Sequence, residues 1–245
     1  MLYEGVYKIA EHVFLLKTHH QYTHTLCLDY KSCDAPTFEI QITKDDVDFE
    51  RNKSAKEAEF EGNTPYDFED SYLESLSVLR KLSLVLLQDG YILFHGSTIA
   101  LDGQAYIFTA KSGTGKSTHT RFWMKTFGDR CIMVNDDKPI LKITSDGVKA
   151  FGSPWCGKHN LGNNVSFDVK AILALHRGEK NEVFVAERKE IFGLLLQQTH
   201  RPEGADNMVK LLPLVDKLSC SVYLFNIYCN LNENSALEIY HGMKG

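Results

Sequence analysis

One stretch of the sequence decides the fold: Ala105-Tyr-Ile-Phe-Thr-Ala110-Lys-Ser-Gly-Thr-Gly-Lys116-Ser-Thr118. Its first five residues are apolar, aromatic or β-branched, which predicts a buried strand, and a helical pattern begins near Ser117. The core Ser112-Gly-Thr-Gly-Lys-Ser matches a phosphate-binding P-loop, except that Ala110 stands where the first glycine is usual. A glycine-rich turn that merely contains a lysine is the alternative, and the flanking strand and helix favour the P-loop.

The chemistry of phosphate binding explains these residue types. Glycines let the backbone curl so that consecutive N–H groups point at phosphate oxygens, and the helix that follows adds its positive end. Lys116 is then expected to reach the β- and γ-phosphates, and the Ser117 hydroxyl to bind Mg²⁺. The predicted nucleotide contacts are Ser112, Gly113, Thr114, Gly115, Lys116, Ser117 and Thr118.

Two adjacent carboxylates follow the next apolar strand. The segment Asn135-Asp136-Asp137-Lys138-Pro139 comes directly after Cys131–Val134, twenty residues beyond Lys116. A carboxylate at the end of a strand beside the P-loop strand can hold Mg²⁺, while its neighbour accepts a proton from an attacking hydroxyl. Alone, the segment would be interpreted as a turn, but its place after a P-loop favours the functional interpretation.

The rest of the chain predicts an α/β protein. Phe38–Ile42 alternates as a half-buried strand, residues 45–70 are acidic and expected to be exposed and loosely structured, and residues 72–86 have the spacing of a buried helix. After Gly90 we expect the following elements: strands at 91–95, 105–109, 131–134, 140–144, 148–151, 171–175 and 222–227, and helices at 117–127, 187–199, 205–218 and 233–240. We therefore predict a strand-rich N-terminal subdomain with a helix (residues 1–88) and a P-loop kinase-like domain (residues 89–245).

Composition excludes several classes of protein. Lys and Arg number 27 against 32 Asp and Glu, for a net charge of −5, so a general nucleic-acid binder is not expected. The apolar run Val13–Leu16 is too short for a signal peptide or a membrane span, which predicts a cytoplasmic protein without a membrane partner. The six cysteines are scattered and are expected to be reduced thiols.

Three features together resemble the HPr kinase/phosphorylase and phosphoenolpyruvate carboxykinase superfamily: His95-Gly96-Ser97, the loop at 112–118, and Asp136-Asp137. The sequence is most similar to the small bacterial HPr-kinase-related branch. The similar stretches there are Phe108–Trp123, Asn135–Pro139, Ser153–Lys158 and Gln197–Pro202, within a resemblance that spans residues 72–243.

The resemblance implies a P-loop α/β core of the HPr kinase/carboxykinase type, which transfers a γ-phosphoryl group to a serine of a carrier protein. By analogy, Asp136 would be the general base, Asp137 a Mg²⁺ ligand, and His95 a neighbour of the reacting phosphate. The related kinases also assemble into homo-oligomers. Where those enzymes have a substrate segment like Glu-Ile-Arg-Gly-Leu-Gly, this chain has Gly152–Asn160.

Several candidate residues have two interpretations. His95 is either a core histidine or a group beside the phosphate. Lys158 and Arg201 are either solvated cations or substrate contacts, Arg201 also being suited to the end of a helix. Of His119 and Arg121, one is expected to face solvent. Cys156 has no basic partner in the sequence, which favours a packed thiol over a nucleophile.

The leading hypothesis is a kinase that uses Mg²⁺ and ATP, or another nucleoside triphosphate, to phosphorylate a hydroxyl. The acceptor is a serine of a small protein or peptide, or a small metabolite, and the choice between ATP and GTP stays open. The alternative is an ATP-binding regulatory or interaction protein without phosphoryl transfer. Two adjacent carboxylates favour the enzyme, because binding alone needs only one carboxylate directed at the metal.

Overall fold

The computed structural model describes residues 2–60, 62–110, 113–230 and 232–244. The chain divides into two compact units, Met1–Leu86 and Leu87–Gly245, called here the N-terminal and C-terminal units. Among the described residues, no helix combines the length and the apolar character needed to cross a membrane.

The N-terminal unit, in its described residues, combines a small sheet with helices. Its strands are β1 (Tyr3–Ile9), β2 (His12–Thr18) and β3 (Phe38–Gln41), and its helices are α1 (Tyr22–Leu26), α2 (Lys44–Phe60) and α3 (Asp70–Gln88). β1 and β2 form an antiparallel hairpin, and β3 lies parallel to β2. The expected strand at 38–42 and the expected helix at 72–86 are confirmed.

The prediction for residues 45–70 was wrong over its first part, which is the 17-residue helix α2. Among the described residues of this range, 62–69 lie outside the helices. α2 has almost no apolar periodicity because charge pairs fix its inner side: Arg80 of α3 donates to Glu50 (2.6 Å) and Asp46 (3.0 Å). Thr43 and Asp46 bond reciprocally at its start, a capping box that is visible in the sequence. With α2 formed, the unit is not strand-rich but mixed.

The C-terminal unit is built on one nine-stranded sheet. Its strands are β4 (Tyr91–Leu93), β5 (Ser97–Leu101), β6 (Gln104–Thr109), β7 (Cys131–Asn135), β8 (Ile140–Thr144), β9 (Gly147–Phe151), β10 (Ser166–Arg177), β11 (Glu182–Val185) and β12 (Tyr223–Cys229). The order is β4-β8-β9-β10-β6-β5-β7, with β12 paired to β10 and β11 to β12. β10 is parallel to β6 and β12, whereas β5 is antiparallel to β6 and β7.

Helices cover both faces of this sheet. They are α4 (Lys116–Phe127), α5 (Arg188–Gln198), α6 (Ala205–Ser221) and α7 (Ser235–Gly242). Alternate residues of β6 enter different cores: Ile107 packs in the cluster that includes residues of α5 and α6, and Phe108 in the cluster that includes residues of α4 and α7. Because both faces of β6 are buried, its sequence is a continuous apolar run over residues 105–108 rather than an alternation of apolar and polar residues.

Most predicted elements of this unit are confirmed within a few residues, including the hairpin turn at Asp102-Gly103, where both residues have positive φ (51° and 79°). β10 differs, because it has twelve residues rather than five. Its first residues pair with β9 and its last with β12, so the polar residues flanking 171–175 are also held in the sheet. Two strands of this sheet were not predicted, β5 and β11; the side chains of β11 are mostly exposed and carry no strong periodicity.

The pairing of Arg80 with buried carboxylates predicts a large loss of stability in Arg80→Ala. Glu50 is only 6% exposed at its side chain, so removing its cation leaves a buried charge unpaired, which costs about 3 kcal/mol of unfolding free energy. Urea unfolding followed by far-UV circular dichroism measures this loss.

Arg51→Ala is the matched control. Arg51 pairs with Asp67 and Asp70, whose side chains are well exposed, so its loss should cost less than about 1 kcal/mol. Equal destabilisation by the two substitutions would contradict the role given to Arg80.

Candidate functional site

The sheet brings three chain segments to one edge. β6 and β7 are both antiparallel to β5, so their carboxyl ends meet the start of β5. The glycine loop after β6, the Asp136-Asp137 pair after β7 and the His95–Ser97 segment before and at the start of β5 therefore lie together. The topology alone places the predicted site residues of three distant segments at one edge.

The glycine loop turns tightly into α4. Gly113 and Gly115 have φ values of +75° and +112°, which side chains with a Cβ rarely adopt. Lys116 begins the helix, and its Nζ donates to the carbonyl of Ala110 at 3.2 Å. The first helical bond of this turn runs from His119 N to Gly115 O, so the preceding N–H groups of the first turn can bind an anion. Of the predicted loop contacts, Ser112 lies outside the described residues, and Thr118 is exposed.

Asp136 is a buried carboxylate tied to two other elements. The residue is 7% exposed, and its backbone N–H donates to Leu161 O. The hydroxyl of Ser97 donates to Asp136 Oδ1 at 2.5 Å and lies 2.9 Å from Thr120 Oγ1 on α4. Since each hydroxyl has one hydrogen, donation by Ser97 to the carboxylate requires Thr120 to donate to Ser97, in place of its longer alternatives at Lys116 O (3.2 Å) and Ser117 O (3.3 Å). This relay fixes Asp136 relative to the helix of the glycine loop.

Asp137 belongs to a second cluster of charged groups, with His95 and Lys138. Lys138 Nζ lies 2.9 Å from Asp137 Oδ2 and 3.2 Å from His95 Nδ1, and Asp137 Oδ1 is 3.4 Å from the same nitrogen. Burial, together with the Lys138 cation, lowers the pKa of His95 to about 4, although Asp137 opposes the change. At neutral pH the imidazole is therefore uncharged, accepts at Nδ1 and carries its proton on Nε2.

Lys116 interacts electrostatically with Asp136 and with the cluster of Asp137 and Lys138. Burial lowers its pKa, the Asp137 and Asp136 carboxylates raise it, and the Lys138 cation lowers it. The Lys116 ammonium, bonded to Ala110 O, therefore shares its electrostatic environment with both carboxylates. The site thus combines an anion-binding helix start, two cations and two carboxylates at one partly buried edge.

Asn135 holds the turn that carries the two aspartates, and sequence reasoning assigned it no role. Its Oδ1 accepts from the backbone N–H groups of Asp137 (2.8 Å) and Lys138 (2.6 Å). Its Nδ2 donates to the carbonyl of Ser153 at 3.0 Å and lies 3.4 Å from that of Trp155. An Asn before Asp-Asp is a signal for such a side-chain-fixed turn.

The stretch Ser153–Lys158 folds over this turn. Ser153 Oγ donates to Lys138 O at 2.6 Å, and Gly157 comes so close that a Cβ there would lie 3.0 Å from Asp137 Cβ. Cys156 is buried, which confirms the packed thiol, and this burial, with Asp137 and Asp136 nearby, raises its pKa to about 12. Lys158 is exposed and has no hydrogen bond or ion pair with another described residue.

The stretch Gln197–Pro202 reaches the site through its backbone. His95 N donates to Gln198 O at 2.7 Å, and Thr199 forms a β-bridge with Phe94. Arg201 lies beyond this bridge, not at the end of α5 itself; its side chain is exposed and bonds to no other described residue. The structure therefore joins the stretch to His95 without bringing the Arg201 guanidinium to the aspartates.

His119 and Arg121 separate as expected. Arg121 is exposed, whereas His119 is fully buried between Phe108 and Trp123. Trp123 Nε1 donates to His119 Nε2 at 3.1 Å, and burial lowers the pKa of this histidine to about 4. His119 is a core residue beneath the glycine loop.

The donor types suit Mg²⁺, which takes one or two carboxylates and keeps water or phosphate oxygens as its other ligands. Asp137 supplies a carboxylate and Ser117 a half-buried hydroxyl, although no bond joins the two side chains. Lys138 already contacts Asp137 Oδ2, so a metal would share this carboxylate with an ammonium. In the part of the chain that the structure describes, no group of three or more His, Cys, Asp or Glu side chains could hold a metal.

Comparisons with known proteins add little to this geometry. No family model matches the chain, and no curated protein is similar to it. Among solved structures, the chain is similar to the HPr(Ser) kinase/phosphatase from Coxiella burnetii, with 12% identity and a TM-score of 0.36, over 62% of this chain and 93% of that one. At these values the likeness carries no argument about function, and membership of the HPr kinase family stays a prediction.

The charge cluster predicts that Lys138→Met raises the pKa of His95 from about 4. Loss of the neighbouring cation removes one cause of the lowered pKa, while burial keeps the pKa below its ordinary value. A pH titration of the imidazole Cε1–H signals by NMR measures the shift, with the His95 signal assigned by its loss in His95→Gln.

Lys158→Met serves as the control, because this exposed lysine has no hydrogen bond or ion pair with another described residue and should leave the titration unchanged. An unaltered His95 titration in Lys138→Met would refute the contact between the two side chains.

Proposed function

We propose that the chain is a phosphotransferase that moves the γ-phosphoryl group of ATP, or another nucleoside triphosphate, to a hydroxyl with the help of Mg²⁺. The observation that supports this best is the contact chain from Asp136 through Ser97 to Thr120 on the helix that follows the glycine loop. A glycine loop alone can bind phosphate, but a buried carboxylate beside it also supplies a proton acceptor.

The glycine loop and the start of α4 would hold the triphosphate. N–H groups of the loop and of the first helical turn donate to phosphate oxygens, and Lys116 leaves the Ala110 carbonyl to contact the β- and γ-phosphates. Ser117 and Asp137 would hold Mg²⁺, which when bound offsets the negative charge of the phosphates. Lys138 keeps Asp137 in place through its own contact.

Asp136 would act as the general base. Ser97 holds Oδ1, and among the described residues no donor is bonded to Oδ2, which leaves that oxygen for the acceptor hydroxyl. As the hydroxyl oxygen bonds to the γ-phosphorus, its proton passes to Asp136, and the bond to the bridging oxygen breaks to release the nucleoside diphosphate.

His95 would stabilise the transferring group without carrying charge. Its pKa of about 4 keeps it neutral, and its Nε2–H can donate to a phosphate oxygen while Lys138 fixes Nδ1. The acceptor is a serine of a small protein or peptide, or a small molecule. Lys158 and Arg201, both exposed, are the proposed contacts to that acceptor.

Asp136→Asn tests the proposal directly. It should bind ATP nearly as tightly as the wild type but lose transfer, because the amide cannot accept the proton. The assay incubates each protein with Mg²⁺ and γ-³²P-labelled ATP plus size-separated lysate fractions, and follows label in proteins and small molecules. ATP affinity is measured separately by calorimetry.

Asp146→Asn, in the exposed turn between β8 and β9, is the matched control and should retain activity. Wild-type transfer by Asp136→Asn would remove this residue from the mechanism. Tight ATP binding by the wild type without any labelled product would instead favour the alternative, a nucleotide-sensing protein.

The Ser97 relay predicts a graded effect on rate. Ser97→Ala removes a hydrogen bond to a charged group and should slow transfer about tenfold while the ATP dissociation constant stays within about twofold. Thr120→Val keeps the side-chain shape, removes the outer hydroxyl and should have a smaller effect. Comparable losses of ATP affinity in both variants would show that the relay supports the loop rather than Asp136.

A further inference from the structure

A groove opens beside the glycine loop, on the side away from the aspartates. It has a volume of about 860 Å³, within the range of small-molecule sites. Gly113 and Thr114 of the loop form one wall, the ends of β10 and β12 form another, and one side of α5 forms the third. β10 lies on one side of β6 and β5 on the other, so the groove and the Asp136-Asp137 turn flank the loop.

The lining suits a flat, uncharged ligand. Leu175 and Ile191 are buried, and Leu194 is half-buried beside them. The rings of His176 and Tyr228 stack with centroids 4.9 Å apart and planes 22° apart, and Tyr228 leaves a half-buried aromatic surface at the groove. Apolar walls with an aromatic ring favour a planar base over a phosphorylated or carboxylated group.

Two side-chain amides, those of Asn226 and Gln197, can form hydrogen bonds with the edge of a base. Asn226 Oδ1 lies 3.1 Å from His176 Nε2, which leaves its Nδ2 to donate and the second lone pair of Oδ1 to accept, and Gln197 is exposed at the rim of the groove. An amide that presents one donor and one acceptor matches the N6 and N7 positions of adenine, whereas the O6 and N7 acceptors of guanine favour Arg or Lys. The Arg at this groove, Arg177, is already bonded to Gly113 O at 2.8 Å.

That bond also connects the groove to the loop. Arg177 stands at the end of β10 and holds the carbonyl of Gly113, so the strand that shapes the groove fixes the backbone beside the phosphate site. Glu190 is the acidic residue of the lining and balances Arg177, so the groove has little net charge. This neutrality contrasts with the charged aspartate edge.

We propose that this groove holds the adenosine part of the bound nucleotide, with the aromatic and apolar walls against adenine and with Asn226 and Gln197 at its edge. The inference rests on the proposed function, because the loop must hold the phosphates. A triphosphate whose γ-phosphate faces Asp136 then extends across the loop to the groove on its other side.

The test separates the groove from the loop by using two ligands. Calorimetry with Mg²⁺ compares ATP with inorganic tripolyphosphate, which can occupy only the phosphate site. Wild-type protein should bind ATP at least tenfold more tightly than tripolyphosphate. Leu194→Trp fills the groove without adding charge and should weaken ATP binding about tenfold while tripolyphosphate binding stays within twofold.

Val209→Trp is the matched control, because Val209 is 71% exposed on α6 and the added ring should leave both affinities unchanged. Equal affinity of the wild type for ATP and tripolyphosphate would overturn the groove assignment and leave the phosphate site standing. Absence of binding by both ligands would instead overturn the proposed function. Unchanged ATP affinity in Leu194→Trp, or an equal loss for both ligands, also refutes the groove.

Asn226→Ala provides a second measurement that does not depend on filling the groove. Wild-type protein should prefer ATP over GTP, and this variant should reduce that preference about tenfold, because the amide no longer reads the base. Tripolyphosphate affinity reports whether the loop is intact in the variant. An unchanged ratio of ATP to GTP affinity would remove Asn226 from base recognition.

Discussion

The site depends on the antiparallel position of β5 between β6 and β7. This pairing turns the start of β5 toward the carboxyl ends of its two neighbours, so Ser97 can reach Asp136 while Thr120 reaches Ser97. A parallel β5 would present its other end at this edge, and the two hydroxyls could not link the carboxylate to the glycine-loop helix. Backbone hydrogen bonding in the sheet therefore sets side-chain distances at the site.

The sequence is sufficient for features that depend on local spacing. The glycines of the loop reveal a turn with positive φ, and the apolar runs on each side reveal a strand and a helix buried in the sheet core. The position of Asp136 and Asp137 directly after β7 is also readable, because carboxyl ends of strands are where such side chains converge. Their convergence with the glycine loop does not follow from these local signals, because β5, a strand that the sequence analysis did not predict, lies between β6 and β7.

Features that depend on contacts between residues distant in the chain could not be predicted from local sequence patterns. α2 lacks apolar periodicity because its inner side is held by Arg80, thirty residues beyond Glu50. Ser97 lies 39 residues from Asp136, and although it belongs to the His95-Gly96-Ser97 stretch that carries the family resemblance, nothing in that stretch predicts its bond to this carboxylate. The groove draws on β10, β12 and α5, whose juxtaposition is decided by the sheet order. Long-range charge pairing and strand order were the missing information.

Trp123 and Trp155 are the two tryptophans of the chain, and both belong to the C-terminal unit. The indole of Trp123 is bonded to His119 beneath the glycine loop, and the backbone of Trp155 lies against Asn135 in the aspartate turn. One tryptophan thus lies next to the glycine loop and the other next to the aspartate turn. Selective excitation of these rings gives an intrinsic optical signal that comes from the C-terminal unit alone and requires no attached dye.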